Sequence, residues 1–189
     1  MADAREMINW SSRPANLKTG ASYPLIRCKP DDRRRWVILS REIVGLDTHY
    51  WKGRTVPHVK QDCPACADKR PFRWYGFLAC LSPGWTKVVH EITPSVCEAL
   101  EIYAKDHGTI RGSVIEMRRT RGKVNGRIIA TLKPIEGVPV EQLPEPHDVI
   151  PLLFRLWEVQ EHTQLPKIYS KPPGGFPRIV KNGKEEEAA

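Results

Sequence analysis

The alternation of hydrophobic and polar positions changes character along the chain. From Tyr23, YPLIRCKP and then RWVILSREIVGL carry β-branched and aromatic residues without a sustained helical period, which predicts extended structure. FRWYGFLACL (72–81) has large residues at both alternations and predicts a strand covered on both faces. A turn at Pro83-Gly84 leads to TKVVHEI (86–92), so these two segments predict a hairpin. Helical spacing first appears at Val96, Ala99, Leu100 and Tyr103. Thr93 suits the N-cap, Pro94 the first helical position and Gly108 the C-cap. TIRGSVIEMRR (109–119) and RIIATLKP (127–134), joined across Asn125-Gly126, predict a second hairpin.

The ends read differently. Residues 1–20 are polar and form an N-terminal arm with little core of its own. Residues 21–136 make up the main domain. From residue 137 the proline-rich, acidic GVPVEQLPEP reads as a linker, HDVIPLLFRLWEVQ (147–160) as a short amphipathic helix, and the Pro/Gly-rich remainder to residue 189 as a mobile tail. Short strands around a single mid-chain helix predict a mainly β fold, an OB-like Greek-key barrel with an inserted zinc-binding loop. A generic α+β sandwich is the alternative.

Composition narrows the class. The chain has 189 residues, 40% hydrophobic and 28% charged, which fits one globular domain plus a tail. No apolar run approaches the roughly 20 residues that span a bilayer, and the acidic start lacks a signal peptide's basic and apolar regions. The expectation is a cytoplasmic protein of a bacterial or phage-infected cell, with no membrane partner. In that compartment the five cysteines point to metal binding before disulfides.

The stretch HYWKGRTVPHVKQDCPAC (49–66) gives the metal reading its substance. His49, His58, Cys63 and Cys66 offer two imidazoles and a Cys-x-x-Cys pair, a mixed set that suits one tetrahedral, structural zinc. Four protein ligands leave no position for water or substrate. Alternatives stay open at this point: His49 as a partly buried sheet histidine, Cys80 or His90 as substitutes, and Cys28 and Cys97 as small core residues. A catalytic zinc fits less well, because no His-x-Glu precedes the Cys pair and no HExxH, Walker loop or GxSxG occurs. The chain does not read as an enzyme.

Net charge is +8, which favours a polyanionic partner. Cations interleave with flat rings in Arg33-Arg34-Arg35-Trp36, in Lys69-Arg70-Pro71-Phe72-Arg73-Trp74-Tyr75, and in the basic run of Arg118, Arg119, Arg121 and Lys123. Trp51, Lys52 and Arg54 ride on the metal loop, and Arg111 is a further candidate. Such mixtures suit single-stranded nucleic acid: cations track phosphates, and rings stack on unpaired bases for ~1–3 kcal/mol each.

The order of a histidine, a second ligand, CPAC, RWYGFLACL, KVVHEI and ALEIYAKDHG resembles the zinc-containing OB core of the T-even phage single-stranded-DNA-binding (helix-destabilising) proteins over residues 49–107. His49, Cys63 and Cys66 match that family's ligands in type, and His58 stands where the family has cysteine. The resemblance implies sequence-independent binding of single-stranded DNA, with RNA a further possible ligand, in replication or recombination of a phage or mobile element. Arg73, Trp74 and Tyr75 are nearest to its binding cleft. It also implies protein partners at the C-terminal segment, of whose acidic tail KEEEAA is a vestige. The family's basic N-terminal arm has no clear counterpart here. A zinc-stabilised protein-interaction module is the alternative function, and a nuclease or other metalloenzyme a more distant one.

Overall fold

The computed structural model describes residues 23–157, apart from 31, 60, 61, 121, 122, 124 and 125 and the side chains of Arg54, Phe154 and Arg155. The N-terminal arm, the tail beyond residue 157, Arg121 and the centre of the Asn125-Gly126 turn therefore lie outside the described residues.

Eight strands form one mixed sheet: β1 (Leu25–Ile26), β2 (Arg35–Ile38), β3 (Val44–Trp51), β4 (Arg54–Pro57), β5 (Phe72–Leu81), β6 (Lys87–Ile92), β7 (Ser113–Arg119) and β8 (Ile128–Pro134). The helices are α1 (Pro64–Ala67), α2 (Pro94–His107) and α3 (Val149–Trp157). The long strand β5 is the spine. On one side it pairs with β6, and on the other with β3 along its first half and β2 at its end. β2 pairs on with β7, and β7 with β8, all antiparallel. β1 runs parallel to the far edge of β6. Among the described residues no ladder joins β8 back to β6, so the sheet is not closed.

Both faces of the sheet are covered, as the two-sided apolar pattern of β5 requires. One face places Trp36, Ile38, Trp74, Leu78, Cys80, Val88 and Ile92 against Val96, Cys97 and Leu100 of α2. The other places Val37, Leu39, Leu46, Phe77, Ala79, Leu81 and Val89 against Leu143 and against Val149, Leu153 and Trp157 of α3. Helix α2 ends where predicted, because Gly108 takes the left-handed conformation (φ 77°) and its N–H bonds the carbonyl of Ala104.

Two expectations change here. The stretch after residue 137 does not hang as a linker: Val138, Val140 and Leu143 pack on the second core. Arg111 is no surface residue. Its guanidinium is buried and donates to the carbonyls of Leu39 (2.8 Å), Leu143 (2.9 Å) and Pro144 (3.2 Å), pinning that stretch to the end of β2. No described helix is long and apolar enough to cross a membrane.

Candidate metal centre and the surface around it

What reads as an irregular loop is a hairpin followed by a tight turn. β3 and β4 pair from Thr48↔Pro57 to Trp51↔Arg54, closed by Lys52 (φ 46°) and Gly53 (φ 78°). Two residues at positive φ match the twist of the flanking strands. The His58 N–H bonds the Asp47 carbonyl at 2.9 Å and carries the pairing past β4. Cys63 then opens the single turn α1, with Pro64 at its first position; N–H groups of Ala67 and Asp68 bond the carbonyls of Cys63 and Pro64.

This arrangement brings His49, His58, Cys63 and Cys66 together, with all four ligand atoms within 4.8 Å of one another. His49 Nε2 lies 3.2 Å from His58 Nδ1, and Cys66 Sγ lies 3.5 Å and 3.4 Å from those two nitrogens. A tetrahedral ion at about 2.0–2.1 Å from nitrogen and about 2.3 Å from sulfur has edges of about 3.3 Å (N–N) and about 3.5 Å (N–S). The three separations are such edges, so the residues fit a metal ion. His49 is fully buried and its Nδ1 faces the carbonyls of Arg70 (2.9 Å) and Pro71 (3.2 Å). Those acceptors favour the proton on Nδ1 and leave the Nε2 lone pair for the cluster.

The electrostatics point the same way. Burial, reinforced by His49, lowers the His58 pKa and favours the neutral imidazole. For Cys63 burial acts upward, but the backbone amides of Val59, Cys66 and Ala65 and the Cys66 thiol together bring it below the usual thiol range. Cys66 is raised, by desolvation and by its neighbour Cys63. Cys80 and His90 lie outside the cluster. Cys80 is a fully buried strand residue, and His90 meets Trp36 edge-on at 5.4 Å. Cys28 and Cys97 are buried too.

The predicted nucleic-acid residues divide into three sets. Trp36 and Trp74 face the first core, 4% and 8% exposed, so neither ring offers a face to a base. A second set of cations already has partners within the chain. Arg34 pairs with Asp32 (2.7 Å) and lies over the Trp36 ring, and Arg35 pairs with Glu116 (3.0 Å). Arg119 donates to the carbonyls of Cys28 and Gly126. The third set is open: Arg33, Lys52, Arg73, Arg118 and Lys123 are exposed, and Tyr75 is half-buried. The side chain of Arg54 is outside the described residues.

Sequence reasoning missed Tyr50, which is 53% exposed; Phe72, a ring of the Lys69–Tyr75 run, is 58% exposed. Strand parity places Tyr50, Arg73 and Tyr75 on one face, since Thr48 pairs with Arg73 and Leu46 with Tyr75. This is the face that α3 covers lower down, where Trp157 meets Phe77 edge-on at 5.5 Å. Phe72 lies on the opposite face, against His49 (4.7 Å) and His58 (4.5 Å). Alternation along β3 would have identified Tyr50 once His49 was assigned to the inner side. At the hairpin tip the Lys52 ammonium lies 4.2 Å over the Trp51 ring, and Trp51 Nε1 donates to Asp68 Oδ2 at 2.6 Å.

Comparison of the chain with protein-family models, with curated proteins and with solved structures returned no match.

Proposed function

We propose that the protein binds single-stranded nucleic acid, DNA before RNA, largely without regard to sequence, and that one structural zinc holds its binding hairpin in place. The observation that carries this reading is the open face with Tyr50, Arg73 and Tyr75 in a row. Arg73 is exposed and its side chain has no partner among the described residues, so it is available to phosphate. The exposed Tyr50 ring supplies stacking surface beside it, with Tyr75 half-buried against the second core, while Trp51 and Lys52 stand at the hairpin tip, Trp51 on the opposite side with His49.

Strand order supports an OB-like reading. If β2 and β3 are taken as one bent strand, it pairs with the second (β5) and the fourth (β7). The third (β6) pairs with the second, the fifth (β8) with the fourth, and a helix joins third to fourth. OB folds bind oligonucleotides on the face of their second and third strands. The resemblance to the T-even phage proteins adds the expectation of a role in replication or recombination of a phage or mobile element, in the cytoplasm of its host. Zinc is favoured over other ions by the mixed imidazole–thiolate set and its tetrahedral edges. With four protein ligands the ion shapes the loop and does no chemistry, so the reading is of a binding protein and not an enzyme.

A second reading, a zinc-stabilised interaction module, is favoured by Leu156, an apolar residue 45% exposed on α3. Binding of oligothymidylate and of duplex DNA at increasing salt separates the two. The single-strand reading expects preference for oligothymidylate, with affinity falling as salt rises. Equal or tighter duplex binding, or no salt dependence, counts against it, and negligible affinity for both favours the interaction module.

A further inference from the structure

The hairpin tip and the metal turn are joined in two places. One is the cluster itself, which links His49 and His58 of the hairpin segment to Cys63 and Cys66. The other is the hydrogen bond from Trp51 Nε1 to Asp68 Oδ2. Trp51 is two residues past His49 on the same strand, so the two side chains project to the same side. Asp68 is two residues past Cys66, and its own N–H is held by the carbonyl of Pro64 inside the turn. The turn itself is too short to persist alone: α1 has four residues, and isolated helices need about 12–15. Only Ala65 of that helix is buried. The N–H groups of Lys69 and Arg70 bond the carbonyls of Cys66 and Ala65 and tie the turn to the start of β5, and ligation of the two cysteines adds the link that holds Asp68 against the hairpin.

We infer that Asp68 is a positioning residue that makes the orientation of the Trp51–Lys52 pair depend on metal occupancy. With the cysteines ligated, Asp68 accepts the indole N–H and holds the ring edge toward the turn, with Lys52 over one ring face. Without ligation the turn loosens, the acceptor leaves, and ring and ammonium swing on the two-residue turn. Binding at the hairpin tip is then conditional on metal, although no metal ligand touches the nucleic acid. The consequence for nucleic acid rests on the function proposed above; the coupling of Asp68 to Trp51 does not.

The test uses the full chain labelled with 5-fluorotryptophan, the Trp51 signal being assigned by its loss in Trp51→Phe. In the wild type, chelation is expected to move or broaden that signal. In Asp68→Ala the signal should already sit at the chelated position while elemental analysis still finds one metal per chain. Oligothymidylate affinity should fall about tenfold, toward the low end of what a lost stacking ring costs. Asp68→Asn, whose side-chain oxygen still accepts an N–H, should retain most of both. A Trp51 signal indifferent to chelator, or an Asp68→Ala signal at the metal-bound position, overturns the inference. So does loss of metal in Asp68→Ala, which would make Asp68 a support of the cluster itself. If the fluorine result holds but the wild type does not bind oligothymidylate, the proposed function fails and the coupling stands.

Discussion

Arg111 Nη2 donates to the carbonyl of Leu143 at 2.9 Å, and through this bond and its companions a buried cation fixes the chain between the β8 strand and α3. Replacing it with methionine leaves the carbonyls of Leu39, Leu143 and Pro144 without this donor. Arg111→Met is expected to cost about 2–4 kcal/mol in urea unfolding. The salt dependence of oligonucleotide binding by the folded fraction should not change, because this guanidinium never reaches phosphate. A shallower salt slope would return Arg111 to the binding surface.

Chelation, or Cys63→Ser, should loosen residues 58–70 while the two apolar cores persist. Metal ligation contributes about 10–16 kcal/mol in zinc-finger peptides at neutral pH. Limited proteolysis is expected to cut first within 58–70 after chelation, with far-UV circular dichroism of the sheet nearly unchanged. Loss of the whole sheet signal would show that the metal supports the domain and not merely its hairpin.

Acid should destabilise the fold through two histidines. Burial lowers His90 to about 4; burial and the nearby Lys87 lower His147 to about 4. The unfolded chain, with histidine near 6.5, takes up these protons first as pH falls. Stability from each is therefore full above about pH 6.5 and is lost between there and about pH 4, by about 1.4 kcal/mol per pH unit per group. Glu91 has the opposite sign: burial raises it against the pull of Arg27, so its cost is relieved as pH falls. His90→Phe should flatten the slope between pH 6.5 and 4.5 in urea titrations by about half. An unchanged slope would mean that His90 does not titrate on unfolding.

Trp74 and Tyr50 should separate stability from binding. Trp74→Phe removes part of a ring that is 8% exposed, costs about 1–2 kcal/mol of stability, and leaves oligothymidylate affinity of the folded chain unchanged. Tyr50→Ala barely affects unfolding and weakens binding by about 1–3 kcal/mol, the value of one stacked base. Fluorescence anisotropy on both variants measures the contrast, and the reverse pattern would reject the outer face as the binding surface.

Much of the fold is legible in the residues. FRWYGFLACL marks β5 at both ends, and the Thr93-Pro94 start with the Gly108 stop marks α2, because caps and turns act locally. The four members of the metal cluster are equally plain, since Cys-x-x-Cys and two nearby histidines are rare by chance. What stays hidden depends on distant neighbours. Trp74 and Tyr75 are adjacent, and which of them faces the α2 core is decided by pairing with β3 and β6, not by the strand itself. The hairpin under the metal ligands escapes notice because its turn is Lys-Gly and not Asn-Gly, and its return strand has four residues ending in proline. Likewise, GVPVEQLPEP has the composition of a linker, but Val138, Val140 and Leu143 find an apolar surface that only the folded sheet provides.

The two-residue strand β1 has a consequence for how copies of this protein behave in a crowd. Leu25 and Ile26 lie along Val89 and His90, and the Pro24 carbonyl accepts the Val89 N–H, so β6 does not present a bare edge. An uncovered six-residue edge carrying Val88, Val89 and Ile92 would be a template on which a neighbour's strand could add and fibres could grow. Removal of residues 23–27 should raise light scattering at high concentration above that of the full chain within hours. Two residues of backbone pairing thus act as a clasp over the β6 edge of the sheet.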